Sequence, residues 1–256
     1  MLKLFRSRRP AKTGPSGPAG SRAYAIGDIH GRLDLLDELL VTVERDNARR
    51  GPARTFLVFL GDLVDRGPDS RGVIDRLLQR PPRFARNVFL AGNHEEAFQR
   101  VLAGDTSIVP SWLLYGGREC AQSYGITAGW LLNATPASVV HEVARAVPRQ
   151  HQDFLASFGD TFRFGDYLFV HAGIRPGVPI EQQVPQDLRW IREGFLENMS
   201  DHGMIVVHGH TIVEAVEELP NRIGIDTGAY RTGTLTAIGI EGEERWFLET
   251  RQAEAA

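Results

Sequence analysis

Three short stretches of the chain combine glycine with carboxylate, imidazole or amide side chains that could bind a metal ion. They are Gly27-Asp28-Ile29-His30-Gly31, Gly61-Asp62-Leu63-Val64-Asp65-Arg66-Gly67 and Gly92-Asn93-His94-Glu95. Each follows a short apolar run, and glycine allows the backbone to turn sharply and approach a ligand closely. A single Asp or His in such a place more often caps a helix or lies in a turn. Here the combination of glycine with such polar side chains occurs after three separate apolar runs, and this repetition predicts one shared site.

Two histidine stretches follow apolar runs later in the chain, His171-Ala172-Gly173 and His208-Gly209-His210-Thr211. Carboxylate and imidazole ligands suit Mn²⁺, Fe or Zn²⁺ better than Ca²⁺, which prefers an all-oxygen shell. The chain has one cysteine, Cys120, so a structural zinc site built from thiolates is excluded. These residues therefore predict a transition-metal centre.

The elements that carry these stretches follow from the apolar pattern. Predicted strands over 23–26, 55–60 and 87–91 end at the first three stretches, and helices are predicted over 32–49 and around 73–78. Carboxyl ends of parallel strands open onto one crevice, so this order brings the three stretches together. A helical middle region over 96–158, with a loop at 112–117, precedes six more strands, predicted at 162–165, 167–171, 205–207, 222–226, 235–240 and 245–249. We expect an α/β fold in which two mixed β-sheets, the second from the strand-rich second half, pack as a sandwich flanked by helices.

Composition and charge narrow the class of protein. The formal net charge is −3, and residues 1–22 carry six basic residues and no acidic one, so the remainder carries −9. An acidic body argues against nucleic acid as a partner. We expect a disordered basic tail over 1–22, one domain over 23–250 and a short tail over 251–256. No apolar run reaches membrane-spanning length, no secretory signal is recognisable and there is one cysteine, which predicts a cytoplasmic protein without stable membrane insertion.

Taken in order, the motifs GDIHG, GDLVDRG, GNHE, HAG and GHT resemble those of the phosphoprotein phosphatases in the calcineurin-like metallophosphoesterase superfamily. The bacterial and phage serine/threonine phosphatases are the most similar branch, and the resemblance covers about residues 23–250. It implies the two-sheet sandwich and two divalent metal ions, with Mn²⁺ as first choice and Fe, Zn²⁺, Ni²⁺ or Co²⁺ as alternatives. The implied metal ligands are Asp28 and His30 for the first ion, Asp62 as the bridge, and Asn93, His171 and His210 for the second.

The resemblance also implies how the residues divide the reaction. A hydroxide bridging the metals would attack phosphorus directly, without a phosphoenzyme. His94 would protonate the leaving alkoxide, and Asp65 would keep that imidazole charged and oriented. Arg66, Arg192 and Asn93 would bind the phosphate.

Two positions depart from the family pattern. Ala91 precedes GNHE where many relatives have arginine, so a basic group that could support Asp65 is missing. Tyr115 stands where bacterial and phage relatives often have asparagine, which changes the rim of the pocket. Of the residues outside the motifs, His151 is expected at the surface and Trp190 in packing.

Three functions remain open at this point. The first is a phosphatase acting on phosphoserine and phosphothreonine in proteins, with phosphotyrosine or a small phosphoester as further substrates. The second is hydrolysis of a dinucleoside polyphosphate such as diadenosine tetraphosphate, because those hydrolases share the first two motifs. The third is a non-catalytic scaffold, which predicts lost ligands, whereas every metal and acid position is filled.

Overall fold

The computed structural model describes residues 14–250, and they form two five-stranded sheets flanked by helices. The strands are β1 (Ser21–Ile26), β2 (Arg54–Phe59), β3 (Arg86–Phe89), β4 (Thr161–Phe164), β5 (Tyr167–Val170), β6 (Ile205–His208), β7 (Glu217–Glu218), β8 (Arg222–Gly224), β9 (Thr236–Glu241) and β10 (Glu244–Glu249). The helices are α1 (Leu33–Arg49), α2 (Ser70–Gln79), α3 (Asn93–Leu102), α4 (Val109–Trp112), α5 (Arg118–Ser123), α6 (Ala128–Asn133), α7 (Pro136–Ala146), α8 (Arg149–Ala156), α9 (Pro185–Trp190) and α10 (Ala229–Thr232). The predicted α/β sandwich of two mixed sheets is confirmed.

The first sheet has the order β10-β9-β1-β2-β3, and the second has the order β4-β5-β6-β8-β7. Strands β1, β2 and β3 are parallel, whereas β9 is antiparallel to β1 and β10 is antiparallel to β9. From the sequence pattern, we expected the strands of the second half of the chain to form the second sheet. In the structure β9 and β10 instead extend the first sheet, because they cover the edge of β1 that would otherwise be unpaired.

Apolar side chains fill the space between the sheets and the space under the helices. Phe56 and Val58 of β2 pack between the sheets against Phe169 and Val207 of the second sheet. The alternate residues of β1 and β2 face α1, α2 and α3 on the other side of the first sheet. Burial on both faces explains why these strands appear in the sequence as continuous apolar runs.

The segment 112–117, predicted as a loop, is helical at both ends and non-helical at Tyr115 and Gly116. Helix α4 ends at Trp112 and continues into a π-helical turn, Leu113–Gly117, which is interrupted where Gly116 has φ +115°. This turn lies beside the loop that carries Arg66, whose backbone N–H donates to the carbonyl oxygen of Gly116 at 3.0 Å.

The domain begins earlier than residue 23. Strand β1 starts at Ser21, and Arg22, assigned from the sequence to the basic tail, is fully buried. Its guanidinium donates to Glu241 at 2.8 Å and to Asn47 at 2.7 Å, so its charge is paired inside the fold. The backbone N–H of Gly17 also donates to the carbonyl of residue 242 at 2.8 Å. Residues 1–13 and 251–256, the rest of the two predicted tails, lie outside the described residues.

Deleting residues 1–13 is expected to leave kcat on p-nitrophenyl phosphate within about twofold, because no motif residue lies there and changes at chain ends are usually tolerated. Deleting 1–21 is expected to lower the melting temperature, because it removes the hydrogen bonds of 15–17 and the first residue of β1. Thermal melts and initial rates of both truncations check this. A severalfold loss of kcat in the shorter deletion would show that residues 1–13 act at the site.

Within residues 14–250 no helix combines the length and apolar character needed to cross a membrane.

Candidate active site

Five non-glycine residues in the described chain have left-handed backbone conformations, and all five lie in the predicted motifs. They are His30 (φ 46°), Asp62 (φ 51°), Asp65 (φ 70°), Arg66 (φ 66°) and His210 (φ 64°). Residues other than glycine rarely adopt this backbone conformation, and those that do often cluster at functional sites. The loops after the strands are therefore bent so that these side chains point into one place.

His30, Asp62 and His94 form the first group of buried side chains that could hold a metal ion. The Nε2 atoms of His30 and His94 lie 3.5 and 3.9 Å from Oδ2 of Asp62. The Nδ1–H of His30 donates to the carbonyl oxygen of Val64 at 2.8 Å, which leaves the lone pair on Nε2. Burial lowers the pKa of His30 well below its ordinary value, so the imidazole is neutral, as a metal ligand must be.

Asp62, His171 and His210 form the second group. The Nδ1–H of His171 donates to the carbonyl of Leu60 at 2.9 Å, so its Nε2 lone pair faces Oδ1 of Asn93 at 3.0 Å. The Nε2 atom of His210 is buried and has no hydrogen-bond partner among the described residues. Burial lowers the pKa of His210 to about 2. The lone pairs of His171 Nε2 and Asn93 Oδ1 thus face each other, and the unpartnered Nε2 of His210 belongs to the same site. A bound cation would stabilise this arrangement.

Asp62 belongs to both groups. Its Oδ1 lies 3.5 Å from Nε2 of His171, whereas Oδ2 faces His30 and His94. Oδ1 also accepts the backbone N–H of His94 at 3.0 Å, at the positive N-terminal end of α3. Burial alone would raise the pKa of Asp62, but the surrounding imidazoles lower it well below its ordinary value. Asp62, which the family resemblance implies as the bridging ligand, is thus the residue that the two groups share.

Asp28 lies outside both groups, so its expected role as a ligand of the first ion, together with His30, stays a prediction. Its two oxygens accept the backbone N–H of His210 at 3.1 and 3.2 Å. Burial raises the pKa of Asp28 well above its ordinary value, and the charges of Asp226 and Asp62 raise it further. Three carboxyl groups buried this close repel one another unless protons or cations offset their charge. The buried donor set therefore fits divalent cations.

Asp226 begins the segment Asp226-Thr227-Gly228-Ala229, which resembles the C-terminal strand-end loop of the family, but the sequence gave Asp226 itself no role. It follows the buried Ile225 and precedes Thr227 and Gly228, which repeats the pattern of an apolar run, an acidic residue and a nearby glycine. Burial raises its pKa to about 6. That repeated pattern is the signal that could have found it.

Glu95 is a second such residue. Its carboxylate accepts the backbone N–H groups of Asp62 and Leu63, both at 2.7 Å, and that of Gly92 at 2.9 Å. These bonds tie the loop after β2 to the start of α3, and they fix Asp62 relative to Asn93. A glutamate at the third position of a helix commonly accepts from the residue before the helix, and that capping pattern was the available signal.

His94 and Asp65 form the predicted dyad, with Nδ1 of His94 donating to Oδ2 of Asp65 at 2.7 Å. Burial alone would lower the pKa of His94, but the charges of Asp62 and Asp65 and this hydrogen bond raise it above its ordinary value. The other oxygen of Asp65 accepts the indole N–H of Trp112 at 3.1 Å. Asp65 therefore has a supporting donor although residue 91 is alanine, and the donor comes from 47 residues further along the chain.

The two predicted phosphate-binding arginines face the same opening. Nη1 of Arg66 lies 2.8 Å from Nε2 of His30, and its guanidinium lies 4.9 Å from the ring centroid of Tyr230. The exposed Arg192 donates from Nη2 to the carbonyl oxygen of His210 at 3.4 Å. Both arginines line a hollow of about 370 Å³ that also contains His94.

Aromatic side chains form much of the remaining wall of this hollow. Trp112, Tyr115 and Trp190 line it, and the side chain of Tyr115 is 62% exposed at the rim. A second hollow, of about 410 Å³, lies on the other side of Tyr115. It is lined by Arg66, by Tyr230 and by Leu113 and Leu114. Trp190, interpreted from the sequence as a packing residue, thus lines the opening.

The remaining histidines lie outside both groups. His208 is buried behind the site, 3.3 Å from Nη1 of Arg222, so the choice of His210 in the HGHT motif agrees with the geometry. His151, expected at the surface, is buried, and its two ring nitrogens contact the hydroxyl of Tyr124 at 3.0 Å and Asp75 at 3.2 Å. The surface expectation for His151 was wrong because these polar partners lie far away in sequence.

Gly116→Ala is expected to weaken phosphate binding by about tenfold, because the φ of +115° suits only glycine and an added Cβ would collide with the backbone N–H and side chain of Arg66. Arg66 is expected to bind the phosphate group of every substrate, so displacing it should impair p-nitrophenyl phosphate and phosphopeptides alike. Inhibition constants for inorganic phosphate measure the effect. Gly104→Ala is the matched control, since Gly104 also has positive φ (+88°) but open space around it. Equal effects of the two changes would contradict the prediction.

Comparison with known proteins gives both sequence and structural matches. The model of the calcineurin-like phosphoesterase family matches residues 21–234. Serine/threonine-protein phosphatase 1 of Salmonella typhimurium is 27% identical over 226 residues, 85% of this chain and 91% of that protein. The asymmetrical bis(5'-nucleosyl)-tetraphosphatase PrpE of Oceanobacillus iheyensis is 35% identical over 251 residues, 89% of this chain and 92% of that protein. The crystal structure of a protein described as a diadenosine tetraphosphatase superposes with a TM-score of 0.64 at 22% identity, covering 93% of this chain and 97% of the other.

Proposed function

Because the chain belongs to the calcineurin-like phosphoesterase family, we propose that it is a two-metal phosphomonoesterase that dephosphorylates phosphoserine and phosphothreonine in proteins. Family membership makes it a metallophosphoesterase. The two-metal centre, the phosphomonoester reaction and the protein substrate are the proposed parts. The observation that carries the proposal is the position of Asp62, shared by two groups of ligands beside the dyad of His94 and Asp65.

The buried donors suit two divalent cations. Asp28, His30 and Asp62 would hold one, and Asp62, Asn93, His171 and His210 would hold the other, with Mn²⁺ as the first choice. The unpartnered Nε2 of His210 and the facing lone pairs of His171 and Asn93 support this assignment. When bound, such cations lower the pKa of water toward neutrality and polarise phosphoryl oxygens.

The chain's own residues would divide the remaining work. Arg66 and Arg192 would bind phosphate oxygens, since guanidinium offers two parallel donors, and Asn93 would add an amide. His94 would give the proton on Nε2 to the leaving oxygen, because Nδ1 is bound to Asp65. A serine or threonine alkoxide is a poor leaving group, so the proton matters most for these substrates.

A second candidate is the hydrolysis of dinucleoside polyphosphates. The hollows on the two sides of Tyr115 share Arg66, and aromatic side chains line both. Planar nucleobases stack on aromatic rings, and arginines bind polyphosphate chains. Several of the relatives are themselves bis(5'-nucleosyl)-tetraphosphatases, including the one that is 35% identical, and they outnumber the protein phosphatases among these matches.

Parallel assays would test these alternatives on enzyme stripped of metal and supplied with Mn²⁺. The proposal predicts a higher kcat/KM for a phosphoserine peptide than for diadenosine tetraphosphate. A higher value for the dinucleotide would replace the proposed substrate with the second candidate. We place the reaction in the cytoplasm, where the buried Cys120 remains a thiol.

A further inference from the structure

We infer that Trp112 is a positioning residue for proton transfer, because its indole N–H fixes the Asp65 carboxylate that orients His94. This inference rests on the proposed acid role of His94. It adds a residue to which neither the motifs nor the charge pattern gave a function.

The contacts form one continuous chain from the hydrophobic core to the site. The indole Nε1–H of Trp112 donates to Oδ1 of Asp65 at 3.1 Å, and Oδ2 of Asp65 accepts Nδ1–H of His94 at 2.7 Å. The backbone N–H of Asp65 donates to Oγ of Ser70 at 2.9 Å. Each oxygen of the carboxylate thus has its own donor, and rotation about the carboxyl group would break both bonds.

The indole is itself held firmly. Trp112 is 2% exposed and stacks on Phe98 with ring centroids 5.7 Å apart and planes inclined by 10°. Gly117 also lies against the indole ring, and an added Cβ there would collide with it. A ring held by these close contacts presents its N–H in one direction, which is the property a positioning donor needs.

The chemistry of this donor also matters. Asp65 is fully buried, and a buried carboxylate oxygen without a donor is costly. Because indole is neutral, it satisfies Oδ1 without neutralising the carboxylate, and the negative charge remains available to His94. Cys120 also lies within reach of Asp65, and burial raises the pKa of its thiol, which leaves a weak S–H donor. The stronger donor is the indole N–H of Trp112, which lies 3.1 Å from Oδ1.

Trp112→Phe tests the inference, because it keeps an aromatic ring and removes the N–H. We expect kcat on a phosphoserine peptide to fall by about tenfold, a part of the 10²- to 10⁴-fold attributable to a general acid. On p-nitrophenyl phosphate, whose leaving group needs little protonation, the loss should stay within about twofold. Trp246→Phe is the matched control, because it also removes an indole N–H from an aspartate, Asp46 at 2.9 Å, away from the site. It should change neither rate.

Two further arms keep the outcomes separate. Combining Trp112→Phe with Asp65→Asn should lower kcat no further than Asp65→Asn alone, since both act through the same contact. If Trp112→Phe fails to fold, 3-benzothienylalanine at position 112 keeps the fused ring and replaces N–H by sulfur.

His94→Asn is measured alongside to distinguish failure of the inference from failure of the proposed mechanism. If His94→Asn impairs the phosphopeptide selectively but Trp112→Phe impairs both substrates equally or neither, Trp112 is not a positioning residue. If His94→Asn itself shows no selectivity for the poorer leaving group, the proposed acid role fails, and the inference fails with it.

Discussion

His94→Asn is expected to lower kcat on a phosphoserine peptide by about 10²- to 10⁴-fold, the range for a lost general acid. The reason is that Nδ1 of His94 is held by Asp65, so Nε2 is the ring atom left to protonate the leaving oxygen. On p-nitrophenyl phosphate the same change should cost far less, because p-nitrophenolate leaves without a proton. Initial rates on the two substrates provide the comparison.

The metal content of the variant is part of this prediction, because His94 also lies in the group formed with His30 and Asp62. If its role is to donate a proton, His94→Asn keeps the same number of ions per chain as the unaltered protein. Asp65→Asn should show the same selectivity more mildly, whereas Arg192→Ala should impair both substrates alike. Equal losses on both substrates in His94→Asn, or a lost ion, would reassign His94 to metal binding or structure.

The second large effect is expected for Asp62→Asn, which should lower kcat by well over ~10²-fold. Removing a group that only supports a metal ligand typically costs up to about that much. The two oxygens of Asp62 face different groups of ligands, so one substitution removes a donor from both. We expect both ions to be lost or greatly weakened in elemental analysis.

Asp46→Asn is the matched control for this change. Asp46 is a partly buried carboxylate that accepts from Tyr24 at 2.6 Å and from Trp246 at 2.9 Å, and it lies outside both groups of ligands. The control should keep its metal and its kcat even if its melting temperature falls. Retention of two tightly bound ions by Asp62→Asn would rule out a shared position for Asp62.

The sequence predicted the site well where the signal was local. Strands β1 and β2 are buried on both faces, so each appears as a continuous apolar run that stops where its polar loop begins. The edge strand β3 is only partly buried, and its apolar signal is shorter. Glycine next to Asp28, Asp62 and Asn93 marked the loops, and the structure brings these three residues close together. The first three strands, and the loops that meet at the site, follow from that pattern.

What the sequence did not predict depends on partners that are distant along the chain. The choice of β9 as the neighbour of β1 is made by pairing such as Arg22 with Glu241, which no local pattern encodes. Trp112 and Asp65 likewise meet only after the helical region has folded over the loop. Arg22 appeared to belong to a basic tail because a sequence does not show which charges become paired.

Metal titration of the unaltered protein tests the central claim most directly. The protein is stripped with a chelator until elemental analysis gives a metal content near zero, and Mn²⁺ is then added back in steps while bound metal, kcat and melting temperature are followed. The account predicts no turnover in the stripped protein, recovery that is complete at two ions per chain, and a rise in melting temperature because the ions bind the folded state. Full activity at a verified metal content near zero would contradict it.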